Sequence, residues 1–240
     1  MRVLVVTAVP AERDAVTRAF GDVSEAAVHE VPGARLHRVG DPGGCGVVDV
    51  LAGGAGPAAA AAATAFGLAS GPYDLVVSAG IGGGFAPVAP VGSLVVASGI
   101  VAADLGAETP EGFVPVTGLG FGRDRYTPPP AQVRDVAAAT GALTGEILTV
   151  STVTGSAERA AALLAAHPQA AAEAMEGFGV AEAAERTGVP VLELRAVSNA
   201  VGPRDRDAWR IGDALAALSG AFGKIVPALE GWTHHERHDS

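Results

Sequence analysis

No stretch of this chain reads as an uninterrupted apolar run of the roughly 18–20 residues that cross a bilayer, so no membrane span is expected. Positive charge is also scarce: 16 Lys and Arg stand against 26 Asp and Glu, a net charge of −10. Nucleic acids and anionic membranes both require clustered cations, so neither is an expected partner. The N-terminus, Met1-Arg2-Val3-Leu4-Val5-Val6-Thr7, has one basic residue and runs on to Glu12, Arg13 and Asp14. It reads as a first strand and helix, not as a secretory signal. Cys45 has no second cysteine to pair with, which suits a reducing cytoplasm. There is no CxxC or HExxH spacing, so no structural metal is expected, and no cofactor is assigned.

Internal repeats and compositional breaks are missing as well. One domain over residues 1–230 is expected, followed by a disordered tail at 231–240 whose His234-His235-Glu236-Arg237-His238 resembles a metal tract only in composition. With 49% hydrophobic residues over 240 positions, a sizeable core can be buried.

What is present alternates between two periods. Residues 2–7 form an apolar strand, and Pro10 falls at a favoured first helical position. Segment 27–51 alternates polar and apolar residues, with turns at Pro32-Gly33 and Asp41-Pro42-Gly43-Gly44, as joined β-strands do. Strand 47–51 precedes Gly53-Gly54-Ala55-Gly56-Pro57 and an Ala-rich helix to about Ser70. Strands follow at 74–79, 93–103, 145–150 and 191–197, and helices at 131–140, 156–166 and 177–187. A last helix carries Leu215, Leu218, Phe222, Val226 and Leu229 on one face. Residues 104–130 are a Gly- and Pro-rich excursion, a length that in a compact chain usually accompanies function or mobility. The pattern predicts an α/β fold: a three-layer domain with a central mixed β-sheet flanked by helices.

Several positions carry polar groups that a pocket can use. Glu12 lies in the first turn of its helix, where it either complements the helix dipole or serves a site. Gly80-Ile81-Gly82-Gly83-Gly84 after a buried strand marks either a close ligand approach or a tight turn. Gly54-x-Gly56-x-x-Ala59 matches a dinucleotide fingerprint, but the expected acid is misplaced, since Asp74 begins the next strand and does not end it. Ser156 is a helix N-cap, and Thr152 and Thr154 fit turn chemistry. Densest of all is Ala174-Met175-Glu176-Gly177 through Arg195-Ala196-Val197-Ser198-Asn199, where an acid precedes a helix while an arginine and an amide end the following strand. Thr187-Gly188 stops that helix with a left-handed cap.

Ala174-Met175-Glu176-Gly177 and Arg195-Ala196-Val197-Ser198-Asn199 resemble signatures of the nucleoside phosphorylase and nucleosidase superfamily. Thr7-Ala8-Val9-Pro10-Ala11-Glu12 resembles the opening of its methylthioadenosine/S-adenosylhomocysteine nucleosidases, and 77–83 and 91–96 resemble their glycine loop and next strand. The similarity runs through about residue 230 and implies a purine nucleoside phosphorylase-like fold. Thr152-Val153-Thr154-Gly155-Ser156, Gly202, Arg204, Asp205 and Trp209-x-Ile211 are similar to one branch, the futalosine hydrolases of menaquinone biosynthesis.

The resemblance implies a nucleoside substrate, cleavage into hypoxanthine and dehypoxanthine futalosine, and a homo-oligomer. It also implies Glu12 as general base toward water, Arg195 to orient that water or Glu12, and Asn199 at the departing base. Glu176 would hold the ribose hydroxyls with Met175 on the sugar, Gly80 and Ile81 would line the glycine loop, and Val153 and Thr154 would offer backbone groups to the purine. Plainer readings remain: Arg195 in a salt bridge and Asn199 closing a strand. An inosine or methylthioadenosine nucleosidase, a phosphorylase, and a non-catalytic nucleoside binder are the rivals. An amide at 199, where adenine-specific nucleosidases carry Asp, favours a 6-oxopurine. For the substrate's 5′ benzoate, Phe113, Phe121, Arg123, Arg125, Arg204 and Arg206 are unranked candidates.

Overall fold

Five successive buried residues, Val3 to Thr7, make β1 (Arg2–Thr7) a strand covered on both sides. Val3 and Val5 face one core, while Leu4 and Val6 face another. The computed structural model describes residues 1–21, 27–40 and 46–229, so Cys45, the turn at 41–44 and the tail 231–240 with its histidines lie outside it. Among the described residues, β2 (Val28–Val31), β3 (Ala34–Gly40) and β4 (Val47–Ala52) form an antiparallel flank. β4 pairs parallel to β1, and β1 to β5 (Leu75–Gly84). Beyond β5 lie β12 (Val191–Ala200), β6 (Leu94–Ala102), β10 (Leu143–Thr149) and β11 (Ala170–Ala174). β12 runs parallel to β5 and antiparallel to β6, so the sheet is mixed as expected.

The sheet also curls. β11 pairs parallel with β10 and antiparallel with the glycine end of β5, through Ala172–Gly84 and Glu173–Gly83. That closure explains why the glycines after Ser78 extend the strand and do not turn, against one of the two expectations for them. A Cβ at Gly82 would lie 2.7 Å from the Glu173 carbonyl oxygen, and one at Gly84 2.7 Å from a Val197 methyl.

Helices cover both faces. α1 (Pro10–Arg18), α3 (Pro130–Thr140) and α6 (Ile211–Ala228) share one core, where Val16, Val136 and Phe222 meet Val5, Val77 and Leu194. α2 (Pro57–Ala69) and α5 (Gly177–Thr187) share the other, where Ala60, Ala63, Phe178 and Val180 meet Leu4, Val76 and Val197. α4 (Ala157–Ala166) places Leu163 in a third cluster, and Ser156 caps it by accepting from Arg159 N at 3.2 Å. Pro10 and the left-handed Gly188 (φ 69°) bracket α1 and α5 as the sequence predicts. Leu4 is fully buried, and truncating it to Ala costs about 2–5 kcal/mol.

By length and composition alone the 206–228 segment is long and apolar enough to cross a membrane, but Arg206, Asp207, Arg210, Asp213 and Lys224 interrupt it. Ala214, Leu218, Ala221, Phe222, Ile225 and Val226 on its inner face pack into the domain core. One expectation needs correction: residues 104–130 are more ordered than a plain excursion. They hold a hairpin of β7 (Gly106–Thr109) and β8 (Gly112–Pro115) and the short β9 (Arg125–Tyr126) against β6.

Candidate active site

The C-terminal ends of β1, β5 and β12 and the turns after β10 and β11 surround a cavity of about 270 Å³, the expected ligand position in an α/β sheet. Glu12, Ile81, Val153, Thr154, Met175, Glu176 and Asn199 all line it, although they come from five separated segments.

Glu12 is nearly fully buried and is the third residue of α1. Its Oε2 accepts from Ala8 N at 2.9 Å and Val9 N at 3.2 Å, and its Oε1 accepts from Ile81 N at 2.9 Å. The helix-cap reading is therefore true but incomplete. The same carboxylate caps α1 and bridges to the glycine strand. Gly80 lies beside it, where a Cβ would stand 2.6 Å from both Glu12 Oε1 and Arg195 Nη1.

Arg195 is fully buried on β12. Its Nε donates to Glu193 Oε1 at 2.9 Å and its Nη2 to Ser78 Oγ at 2.9 Å. Nη1 lies 3.2 Å from Glu176 Oε2, within ion-pair range but without hydrogen-bond alignment, so one end of the guanidinium still has donors to give. Burial works against its charge, but Glu193, Glu176 and Glu12 outweigh burial and hold its pKa above the ordinary arginine value.

Glu176, buried at the N-cap of α5, accepts from Gly56 N at 3.2 Å through Oε1 and from Met175 N at 3.4 Å through Oε2. The glycine turn at 54–56 thus donates to this acid, which accounts for a motif that had been weighed as a dinucleotide fingerprint. Met175 is half-buried on the cavity wall.

Asn199 follows a register shift between Val197 and Asn199 on β12 that leaves Ser198 without a partner on β5. Such a bulge re-aims the next side chain. Ser198 Oγ donates to Asn199 Oδ1 at 2.9 Å, and Asn199 Nδ2 donates to the Ala200 carbonyl at 3.0 Å. An amide has two acceptor and two donor positions. One of each is used locally, leaving one acceptor and one donor for the cavity.

At the opposite wall, Thr154 N–H donates to Glu173 Oε1 at 2.8 Å and its hydroxyl donates to Glu173 Oε2. Of the two Thr154 backbone groups, that leaves the carbonyl for a ligand, narrower than the backbone role expected of it. The Val153 peptide groups have no hydrogen-bond partner among the described residues.

Glu173, Glu193, Ser78, Ser198 and Gly56 were missed from the sequence. Glu193 had a signal: an acid between Leu192 and Leu194, two residues from Arg195 on the same strand face. Glu173 had little, because Ala170-Ala171-Ala172 is a weak strand sequence. Among the described residues no group of three or more His, Cys, Asp or Glu could hold a metal ion.

Comparison with known proteins gives consistent matches. The phosphorylase superfamily matches residues 2–229. A futalosine hydrolase from Streptomyces coelicolor is 64% identical over 99% of this chain and all of its own length. A second, from Acidothermus cellulolyticus, is 43% identical over 94% of this chain and 90% of its own. Among solved structures, a methylthioadenosine/S-adenosylhomocysteine nucleosidase from Colwellia psychrerythraea with adenine superposes at a TM-score of 0.83. It covers 97% of both chains at 24% identity, a likeness of fold alone.

Proposed function

The chain belongs to the futalosine hydrolases within the phosphorylase superfamily, and on that premise we propose that it hydrolyses the N-glycosidic bond of futalosine. The products are hypoxanthine and dehypoxanthine futalosine, in a step of menaquinone biosynthesis. One observation carries hydrolysis over phosphorolysis: the Ala8, Val9 and Ile81 N–H groups are already given to the Glu12 carboxylate. Donors of the kind that cradle phosphate hold an internal anion here, and that anion repels a second one. Placed beside the free Nη1 donors of Arg195, Glu12 can instead take a proton from water.

In this reading, the C1′–N9 bond lengthens toward an oxocarbenium-like ribosyl cation as the water attacks C1′. Glu12 removes the water proton as general base, a role worth about 10²–10⁴-fold. Glu176 accepts from the ribose 2′- and 3′-hydroxyls with the lone pairs that Gly56 and Met175 leave open. N7 takes its proton from solvent as the bond breaks, and Asn199 uses its remaining acceptor for the protonated N7 and its remaining donor for the C6 carbonyl. Adenine would set its amino group against that donor, a mismatch of about 1–3 kcal/mol, or roughly tenfold to hundredfold.

Among the 5′ candidates, Arg204 has the best support. Arg123 pairs with Glu185 and Arg125 with Glu146, so both cations are engaged. Arg204 lines the cavity beside Trp209, with its guanidinium carbon 5.3 Å from that ring centre. Together they offer the cation and apolar wall that an aromatic carboxylate needs. Exposed Leu105, Phe113, Leu119 and Phe121 on the 104–126 excursion support a second copy packing there. The single cysteine supports a cytoplasmic setting.

The deciding experiment incubates the enzyme with futalosine, inosine and methylthioadenosine, each with and without phosphate. Hypoxanthine should appear from futalosine in phosphate-free buffer. Its absence there would sink the reading.

A further inference from the structure

Glu193 is a fully buried acid in the middle of β12 that the proposed chemistry does not use. One oxygen accepts from Arg195 Nε, while Oε2 has no hydrogen-bond partner among the described residues. Gly177, the first residue of α5, packs directly onto it, and a Cβ at 177 would overlap the carboxyl. Among the described residues no backbone N–H donates to Glu193.

Three carboxyl groups therefore surround one guanidinium: Glu193 from its own strand, Glu176 from the turn before α5, and Glu12 from α1. Ser78 on β5 contributes only a neutral hydroxyl. Glu12 and Glu176 also accept from backbone N–H groups, whereas the buried Glu193 Oε2 has no donor and is the least compensated anionic oxygen of the three acids. That oxygen is where a proton is best held. Protonated there, Glu193 still accepts from Arg195 Nε through Oε1.

We propose that Glu193 is a positioning residue held as a carboxylic acid, which fixes Arg195 by its Nε and leaves the guanidinium charge facing Glu12 and Glu176. Ionisation of Glu193 draws that charge back along the strand and weakens the hold on the attacking water. Burial, the largest influence, raises the Glu193 pKa to about 7 against the opposing pull of Arg195. The proposal rests on the hydrolase reading for its kinetic arm alone.

The test compares E193Q and E193L with wild type across pH 5.5–9. Gln keeps the acceptor for Nε and is neutral at every pH. Leu removes the acceptor, and the resulting drift of Arg195 should lower kcat about 10²-fold with KM changed far less. E193Q should lie within about threefold of wild type at the acid end. It should also lack the wild-type fall in kcat as pH rises through about 7. An unchanged alkaline limb in E193Q, or a loss in E193Q as large as in E193L, would overturn the idea.

A substrate-free arm separates this from a wrong substrate. A raised carboxyl pKa gives stability that is present at low pH and lost as pH climbs from 4.5 to about 7. Wild-type Tm should therefore decline relative to E193Q across that window. Parallel Tm curves would overturn the proposal even if futalosine is never cleaved.

Discussion

Gly80 and Arg195 are register partners on neighbouring parallel strands, and the missing side chain of the first is the space occupied by the second. The guanidinium lies across the β5 backbone because residue 80 has no Cβ. Glu12 reaches the same space from α1. Gly80→Ala would place a methyl 2.6 Å from both charged groups, closer than real contacts allow. We expect a stability loss of about 1–3 kcal/mol from overpacking. A drop in kcat of about 10²-fold should accompany it as Glu12 and Arg195 shift. Denaturant melts and steady-state assays on one preparation check both.

Glu12→Gln tests the general base. The amide can keep one oxygen for Ile81 N but presents an NH2 toward Ala8 and Val9, donors facing donors. Hypoxanthine release should fall about 10²–10⁴-fold, with hypoxanthine binding by calorimetry changed little. Unaltered turnover would remove Glu12 from the reaction.

Substitutions at Asn199 and Ser198 test the proposed reading of the base. Asn199→Asp replaces the donor facing C6 with an acceptor and should shift the futalosine-to-6-amino-analogue ratio of kcat/KM roughly tenfold to hundredfold toward the amine. Ser198→Ala frees Asn199 Oδ1 from its hydroxyl donor, so the same ratio should narrow without reversing. A ratio unmoved in both variants would mean that the amide does not read C6.

Away from the site, Asp49 tests what holds the N-terminal half together. It is fully buried on β4 and accepts from Arg2 Nη2 at 2.7 Å, Arg38 Nε at 2.8 Å and Tyr73 OH at 2.7 Å. Burial alone would raise its pKa, but these donors outweigh it and hold the carboxyl below the ordinary value. Its contribution is present above pH 3.8 and lost as pH falls below it. Asp49→Leu should cost about 1–3 kcal/mol at neutral pH, because it leaves the Tyr73 hydroxyl and two partly exposed arginines without their acceptor, and should leave KM for the nucleoside unchanged. Equilibrium denaturation at pH 3 and pH 7 measures the difference, which should shrink at the lower pH.

The candidate residues that line or adjoin the cavity were legible where the pattern is local. Glu176 before a helix, Arg195 two residues from Glu193, and Asn199 closing a strand all announce themselves within a few positions. What stayed hidden depends on distance along the chain. Gly56 donates to Glu176 across 120 residues, and Thr154 binds Glu173 from a different turn. No local pattern reports those pairings. The β5 glycines were ambiguous for a related reason. They are required by what β11 and β12 bring against them, so a strand and a turn look alike until the neighbours are known. The bulge at Ser198 was equally invisible, although it decides which way Asn199 faces.

The bond from Gly56 to Glu176 also sets an order of events during synthesis. Glu12 and the 54–56 turn leave the ribosome early, whereas Glu176, Arg195 and Asn199 come more than a hundred residues later. Until then the Glu12 carboxylate has its Ala8 and Val9 donors but no guanidinium beside it, and the glycine end of β5 has no β11 or β12 to pair with. A nascent chain that has not reached residue 199 therefore cannot assemble the site, however well its first half has folded.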